Sequence, residues 1–111
     1  MNAALTACSN APRKNGELSM LLACLSALGL KTEEAPNLSE PDFTPGRTPE
    51  KRAQVLMEFF SRDDLDLILD ISGGDLANGI LPYLDYKVIR ASRACLWGYS
   101  DLTVLLNAIY A

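Results

Sequence analysis

DLDLILDIS, residues 64–72, is the clearest strand in this chain of 111 residues. Leu67, Ile68 and Leu69 follow one another with no polar residue between them. A strand with one face in water alternates apolar and polar residues, whereas a parallel strand that is covered on both faces is apolar throughout. The stretch therefore predicts a buried parallel strand, and parallel strands are usually connected by helices.

The rest of the chain alternates strand-like and helix-like segments in the order β-α-β-α-β-(α)-β-α. Further strands are predicted in AALTAC (3–8), LKTEEAP (30–36, a weak one) and ACLWGY (94–99). Helices are predicted from Leu18 to a cap at Gly29, from Thr48 with Pro49 at the first helical position, and over 101–110. This order predicts one α/β domain with a mostly parallel sheet, helices on both faces, and strands near 3–8, 65–71 and 94–98 at its centre.

Three connecting segments lack a clear periodic pattern. SNAPRKNG (9–16) is predicted to be a polar loop, because it is rich in turn-forming residues. Residues 37–49 contain three of the six prolines and are predicted to be an exposed loop. Residues 73–92 are predicted to turn through two glycines into a short helix or a loop that Pro82 breaks.

Composition excludes several classes of function. The net charge of −4 leaves no surplus of basic residues to neutralise nucleic-acid phosphates. No apolar run approaches the ~20 residues that cross a membrane. Cys8, Cys24 and Cys95 are far apart and are predicted to be reduced thiols in the core of a cytoplasmic protein. Without histidine and without paired cysteines, no metal site is predicted.

Two loops carry residues that could perform chemistry. SGGD (72–75) and GYSD (98–101) follow the third and fourth predicted strands, and ligands of parallel sheets gather at the carboxyl ends of strands. Ser100 at a sharp turn is the candidate nucleophile, although a serine or aspartate before an apolar helix is more often only a cap. Trp97 and Tyr99 could line a cleft or belong to the core.

Residues 70–111 resemble the LD-carboxypeptidase family of serine peptidases, which includes muramoyl-tetrapeptide carboxypeptidases and microcin C immunity peptidases. The resemblance rests on the glycine pair, on ILPYLDYKVI (80–89) and on GYSDLT (98–103), in the family's order and at comparable spacing. TACSN (6–10) and RAQVLMEFF (52–60) resemble the family's N-terminal portion more loosely. The match implies a flavodoxin-like, three-layer domain over residues 1–111.

The resemblance also implies roles for individual residues. Ser100 corresponds to the nucleophile, and the backbone amides of Asp101 and of the Gly73–Gly74 turn, with Gly74 as the donor, correspond to the oxyanion hole. Ser72 and Asp75 stand where many members have an arginine and an aromatic residue, and we expect them, with Tyr99, to contact substrate. The implied substrate is a murein tetrapeptide or a peptidyl-nucleotide conjugate, cleaved without a cofactor.

The family places its catalytic glutamate and histidine in a second, C-terminal domain. This chain contains no histidine, so it is expected to be an N-terminal domain that is inactive alone. Lys87 is the other conceivable base, but its polar surroundings favour a solvated surface charge. The missing C-terminal domain is the expected partner and a homodimer is a second. Two alternatives stay open: a stand-alone binding or structural module, and a truncated piece of a longer protein.

Overall fold

The computed structural model describes residues 1–12 and 16–111, and residues 13–15 of the predicted loop 9–16 lie outside the described residues. Within these ranges the chain forms one sheet of four parallel strands in the order β2-β1-β3-β4. The strands are β1 (Asn2–Thr6), β2 (Lys31–Glu34), β3 (Leu67–Asp70) and β4 (Cys95–Trp97). The α-helices are α1 (Glu17–Ala27), α2 (Pro49–Phe60), α3 (Tyr86–Ala91) and α4 (Thr103–Tyr110). The predicted α/β class is confirmed.

The core centres on β1, which lies between β2 and β3. Ala3, Ala4, Leu5 and Thr6 are all at most 2% exposed, so both faces of this strand are covered. In the register of the sheet, Ala4 pairs with Ile68 of β3, which in turn pairs with Leu96 of β4. Burying these small and branched side chains removes apolar surface from water, which favours folding.

The predicted position of β4 in the sheet is wrong. β4 lies at the edge of the sheet and only its middle residue, Leu96, is buried. Cys95 is exposed, and the Trp97 side chain is 62% exposed. A run of apolar residues shows that a strand can be covered, but the number of neighbouring strands depends on the topology.

Helix boundaries follow local signals in the sequence. Thr48 caps α2, because its Oγ1 accepts a hydrogen bond from the Lys51 amide at 3.1 Å, and Pro49 occupies the first helical position. Gly29 follows the end of α1 with a φ of 85°, the left-handed conformation that a glycine adopts at little cost. Both features confirm the predicted cap positions.

Residues 73–92 contain two short helices, as the helical alternative predicted, but Pro82 does not break the first of them. A 3₁₀ helix spans Ala77–Tyr83 and contains Pro82, and α3 follows it. Asp85 caps α3 by accepting hydrogen bonds from the amides of Lys87 and Val88. Two further 3₁₀ helices span Pro45–Arg47 and Ser100–Leu102.

The segment 37–49 is not exposed throughout, contrary to the prediction. Asn37, Leu38 and Arg47 are buried within it, and the Asn37 amide nitrogen donates to the carbonyl of Gly46 at 2.9 Å. The loop packs against the residues that follow β1, because Arg47 donates to the carbonyls of Ala7 and Ser9.

The prediction of three core thiols is correct for Cys8 alone. Cys8 is fully buried, whereas Cys24 and Cys95 are exposed and all three are free. Burial raises the pKa of the Cys8 thiol, with a further contribution from the nearby Asp70 carboxylate, so this thiol is held in its protonated form. None of the described helices is long and apolar enough to cross a membrane.

Candidate functional site

The loops after β3 and β4 meet at the carboxyl end of the sheet. Ser100 opens the 3₁₀ helix that follows β4, after Tyr99 in an extended conformation. A Cβ atom placed on Gly73 would lie 3.7 Å from both Cβ and Oγ of Ser100. The two loops that the sequence singled out are therefore neighbours in space.

Ser100 adopts a backbone conformation that serines rarely adopt. Its φ of 60° lies in the left-handed region, which costs about 1 kcal/mol or more for a residue with a side chain. The turn is held by two hydrogen bonds: the Thr103 hydroxyl donates to the Ser100 carbonyl at 2.7 Å, and the Leu102 amide to the Tyr99 carbonyl at 3.2 Å. A sharp turn of this kind between a strand and a helix projects the serine clear of the sheet. Ser100 is exposed.

Gly74 has two structural reasons to be glycine. Its φ of 121° is strained for any residue with a side chain, and an added Cβ would lie 2.0 Å from Asn10 Oδ1. The same Asn10 oxygen accepts a hydrogen bond from the Asp75 amide at 2.9 Å. Asn10 thus sets the path of the glycine loop from the end of β1.

The first backbone amides of the helix that follows β4 lie in the same turn as Ser100. The first N–H groups of a helix have no partner within it, and here they belong to Ser100 and Asp101. These amides lie in the turn that faces the Gly73–Gly74 loop. The assignment of Asp101 and Gly74 as oxyanion donors stays a prediction.

A buried carboxylate supports the site from below. Asp70, at the end of β3, is 2% exposed and accepts hydrogen bonds from the Cys8 amide at 2.7 Å and from the Ser72 amide at 2.8 Å. The Ser72 hydroxyl also donates to Asp70 at 2.5 Å and accepts from the Ser9 amide at 3.0 Å. Burial raises the pKa of Asp70, and the hydrogen bonds from Ser72 and Cys8 oppose this rise.

Two buried arginines, which the sequence analysis missed, hold the end of β1. Arg47 donates to the carbonyls of Ala7 at 2.8 Å and Ser9 at 2.6 Å, and Arg52 donates to the carbonyl of Cys8 at 3.0 Å. Burial and the neighbouring Arg47 lower the pKa of Arg52. Arginines in a proline-rich loop and at a helix start are normally solvated, so no pattern in the sequence indicated this role.

A groove of about 1180 Å³ runs from the glycine loop across β3 and β4. Its apolar lining includes Leu18, Leu69, Ile71, Leu106 and Tyr110. Trp97 and Tyr99 also line the groove and are 62% and 67% exposed, so they do not belong to the core.

The residues predicted to contact substrate also lie along this groove. Ser72 and Asp75 both line it, but Ser72 is buried and its hydroxyl is used by Asp70, whereas Asp75 is exposed. Ser100 is exposed beside the groove and is not among its lining residues. Contact of Ser72, Asp75 and Tyr99 with substrate stays a prediction.

Comparison with known proteins identifies the family. Residues 3–111 match the model of the LD-carboxypeptidase N-terminal domain. The chain belongs to the LD-carboxypeptidase family. It is 38% identical over 87 residues to the microcin C7 self-immunity protein MccF of Escherichia coli, a match that covers 78% of this chain and 25% of that protein. It is 32% identical over 95 residues to a Bacillus subtilis protein named as a probable murein peptide carboxypeptidase, covering 85% of this chain and 30% of that protein.

A solved structure of MccF shows the same fold. It is the microcin C7 self-immunity protein MccF in complex with aspartyl sulfamoyl adenosine, and it superposes with a TM-score of 0.87 at 30% identity. The match covers 98% of this chain and 33% of the other. The chain thus spans between a quarter and a third of the length of these relatives.

Proposed function

We propose that this chain carries the nucleophile of a serine LD-carboxypeptidase and that Ser100 is that nucleophile. The observation that supports this most directly is the left-handed turn at Ser100, whose side chain lies 3.7 Å from the position of a Gly73 Cβ. A helix cap alone would not require a strained serine backbone where the loops after β3 and β4 meet.

The proposed reaction is acyl transfer from a peptide to the serine. Ser100 Oγ attacks the carbonyl carbon of the scissile amide, and the proton of the hydroxyl passes to a general base. The carbonyl oxygen becomes an oxyanion that accepts hydrogen bonds from the amides of Asp101 and Gly74. The base then protonates the leaving amine, and water hydrolyses the acyl-enzyme to release the shortened peptide.

The base must come from outside these 111 residues, because the chain contains no histidine. Lys87, the other conceivable base, is exposed at the start of α3. We propose that a C-terminal domain supplies a histidine and a glutamate that orients it, as the family resemblance implies. A homodimer would add no histidine. Loss of triad residues lowers turnover by up to about a millionfold in a serine protease, so we expect the chain alone to be inactive.

The relatives support the proposed substrate class. One is named as a probable murein peptide carboxypeptidase, and another was solved with aspartyl sulfamoyl adenosine. We therefore propose cleavage of an amide near the carboxyl terminus of a murein tetrapeptide or of a peptidyl-nucleotide conjugate, with no cofactor and in the cytoplasm. Ser72, Asp75 and Tyr99, which line the groove, are the proposed contacts, and Ser72 is the most buried of the three.

A second candidate function is a binding module without catalysis. The groove of about 1180 Å³, which has an apolar lining, favours it because such a surface can hold a ligand without any base. Under this proposal Ser100 would contribute to the shape of the groove and not to chemistry.

A complementation assay separates the two functions. The purified chain is mixed with the segment of the Bacillus subtilis relative that follows the matched region, and the release of terminal D-alanine from murein tetrapeptide is measured. Ser100→Ala is the test variant. Ser61→Ala is the matched control, because Ser61 is exposed at the end of α2 and its hydroxyl donates only to the Met57 carbonyl at 2.8 Å.

We expect no release from the chain alone, release from the mixture, and loss of that release in Ser100→Ala but not in Ser61→Ala. Release by the unmixed chain that depends on Ser100 would show that a base lies within it. A mixture that binds tetrapeptide but never cleaves it, whichever serine is present, would favour the binding module.

A further inference from the structure

The side chain of Asp101 turns into the protein instead of capping its own helix. Its Oδ2 accepts a hydrogen bond from the Ser9 hydroxyl at 2.6 Å and another from the Ala77 amide at 3.0 Å. The Ser9 hydroxyl in turn accepts from the Leu76 amide at 3.0 Å. One carboxylate oxygen thus joins the serine turn to the end of β1 and to the segment that follows the glycine loop.

Ser9 is a rigid anchor for this contact. It is fully buried, its amide donates to the Ser72 hydroxyl at 3.0 Å, and its carbonyl accepts from Arg47 at 2.6 Å. Because the backbone and hydroxyl of Ser9 are all engaged, the hydroxyl has little freedom to move. The Asp101 carboxylate that it contacts is therefore held in a fixed position relative to the sheet.

We propose that Asp101 and Ser9 form a positioning pair that fixes the direction of the Asp101 amide and the strained turn at Ser100. The inference rests on the proposed function, in which that amide stabilises an oxyanion. An oxyanion hole works because its donors are aimed before the charge develops. Ser100 has a φ of 60°, so the turn would relax toward an ordinary conformation if the residue after it were released.

If Asp101 acted only through its negative charge, the position of its oxygen atoms would matter less. An acidic side chain in a first helical turn interacts favourably with the helix dipole through its charge. The inferred role depends instead on one correctly placed acceptor atom. The other oxygen, Oδ1, is buried without a hydrogen-bond partner among the described residues, so asparagine could place its NH₂ there and keep the two bonds at the Oδ2 position.

The design compares Asp101→Ala, Asp101→Asn and Ser9→Ala. The first removes the acceptor, the second removes the charge but keeps an acceptor, and the third removes the anchor. Asp85→Ala is the matched control, because Asp85 accepts amide hydrogen bonds at the start of α3, in a different helix. Two readouts are used on every variant.

The first readout is hydrogen exchange of single amides by NMR on the 111-residue chain. We expect protection of the Ala77 amide to fall at least about 10-fold in Asp101→Ala and to persist in Asp101→Asn and Asp85→Ala. In Ser9→Ala we expect the same loss at the Leu76 amide. The Leu5 and Ile68 amides of the central strands report whether each variant is folded. Unchanged protection at residues 76 and 77 in folded variants would overturn the inference.

The second readout is kcat and KM in the complementation assay with murein tetrapeptide. Deleting one oxyanion donor outright costs about 100-fold or more in kcat, so a donor that is only loosened should cost about 10-fold. We expect that loss in Asp101→Ala and Ser9→Ala with KM unchanged, because the amide acts only in the transition state. Asp101→Asn should stay within about threefold of wild type.

Different results would contradict the positioning pair and the proposed function. An Asp101→Asn variant as slow as Asp101→Ala would overturn the positioning pair and assign the effect to charge. Equal kcat in wild type and Asp101→Ala would overturn it as well. A wild-type mixture without any cleavage would overturn the proposed function, and the exchange of the Ala77 amide would then decide by itself whether the pair holds the turn.

Discussion

Replacing Asp70 by asparagine tests whether the buried carboxylate organises the end of the sheet. Asp70 Oδ2 accepts the Cys8 amide at 2.7 Å, and Oδ1 accepts both the Ser72 amide at 2.8 Å and the Ser72 hydroxyl at 2.5 Å. Both oxygens therefore face backbone N–H groups. Asparagine has the same shape but can present only one oxygen.

The expected cost follows from these contacts. In either orientation of the asparagine amide, its NH₂ group meets a buried backbone donor and leaves that donor without an acceptor. An unsatisfied buried group costs about 1–3 kcal/mol, and the neutral side chain recovers part of this by avoiding the burial of a charge. We expect Asp70→Asn to lower the free energy of unfolding by about 2 kcal/mol at pH 7. At about 4 °C per kcal/mol, the melting temperature should fall by about 8 °C.

The assay is urea and thermal unfolding followed by circular dichroism. Asp63→Asn is the control, because Asp63 is exposed in the turn before β3, and it should change stability by less than about 0.5 kcal/mol.

The pH dependence of stability gives a second test. Because burial raises the pKa of Asp70, this carboxyl group binds a proton more readily in the folded protein than in the unfolded chain. Protonation therefore stabilises the wild type below the ordinary aspartate pKa of about 3.9, and this stabilisation is lost as pH rises through the raised pKa. The variant cannot titrate there, so its deficit should grow as pH falls. A variant as stable as wild type, or a deficit that shrinks in acid, would refute the reasoning.

The remaining predictions concern stability and use the same unfolding measurements. Gly74→Ala should lower the free energy of unfolding by more than about 2 kcal/mol, since it combines a φ of 121° with a clash against Asn10. Gly29→Ala, with a φ of 85° and no atom within 4 Å of the added Cβ, should lower it by about 1 kcal/mol. Equal losses in the two variants would contradict the clash. Phe43→Asn should stabilise the protein by roughly 0.5 kcal/mol, because Phe43 is 87% exposed with a φ of 64° that asparagine tolerates better, and a lower urea midpoint would disprove this. Although partial burial of Asp42 tends to raise its pKa, hydrogen bonds from Asn10 and the Ala11 amide and the charge of Arg47 outweigh it and lower the pKa. Asp42 should therefore stabilise the fold above pH about 3.9 and lose this effect as pH falls through the lowered pKa, so the stability advantage of wild type over Asp42→Asn should shrink in acid.

Local chemistry in the sequence was enough to predict most of the elements. The apolar run at Leu67–Leu69 predicted a parallel strand, and β3 forms there, but the predicted cover on both faces is only partly correct: Ile68 is buried, whereas Leu67 and Leu69 are half-buried. Thr48 and Gly29 marked the ends of helices because a cap depends on residues within one turn of it. The serine turn and the glycine pair were recognised for the same reason, from a few adjacent residues.

The supports of the candidate site could not be predicted in this way. Arg47 reaches the carbonyl of Ser9 across 38 residues of sequence, and Ser9 reaches Asp101 across 92. Each side chain taken alone is an ordinary polar residue that could equally face water. Which partner each side chain contacts depends on how the loops pack, and no short segment of the sequence determines that packing.

The exposure of the groove was likewise decided by tertiary structure alone. ACLWGY is as apolar as the central strands, yet among the described strands β4 pairs with β3 alone, and its Trp97 side chain is 62% exposed. Burial of an apolar segment lowers the free energy of the folded state. Which segments are covered depends on how many neighbours the topology places beside them, and this is a property of the assembled sheet.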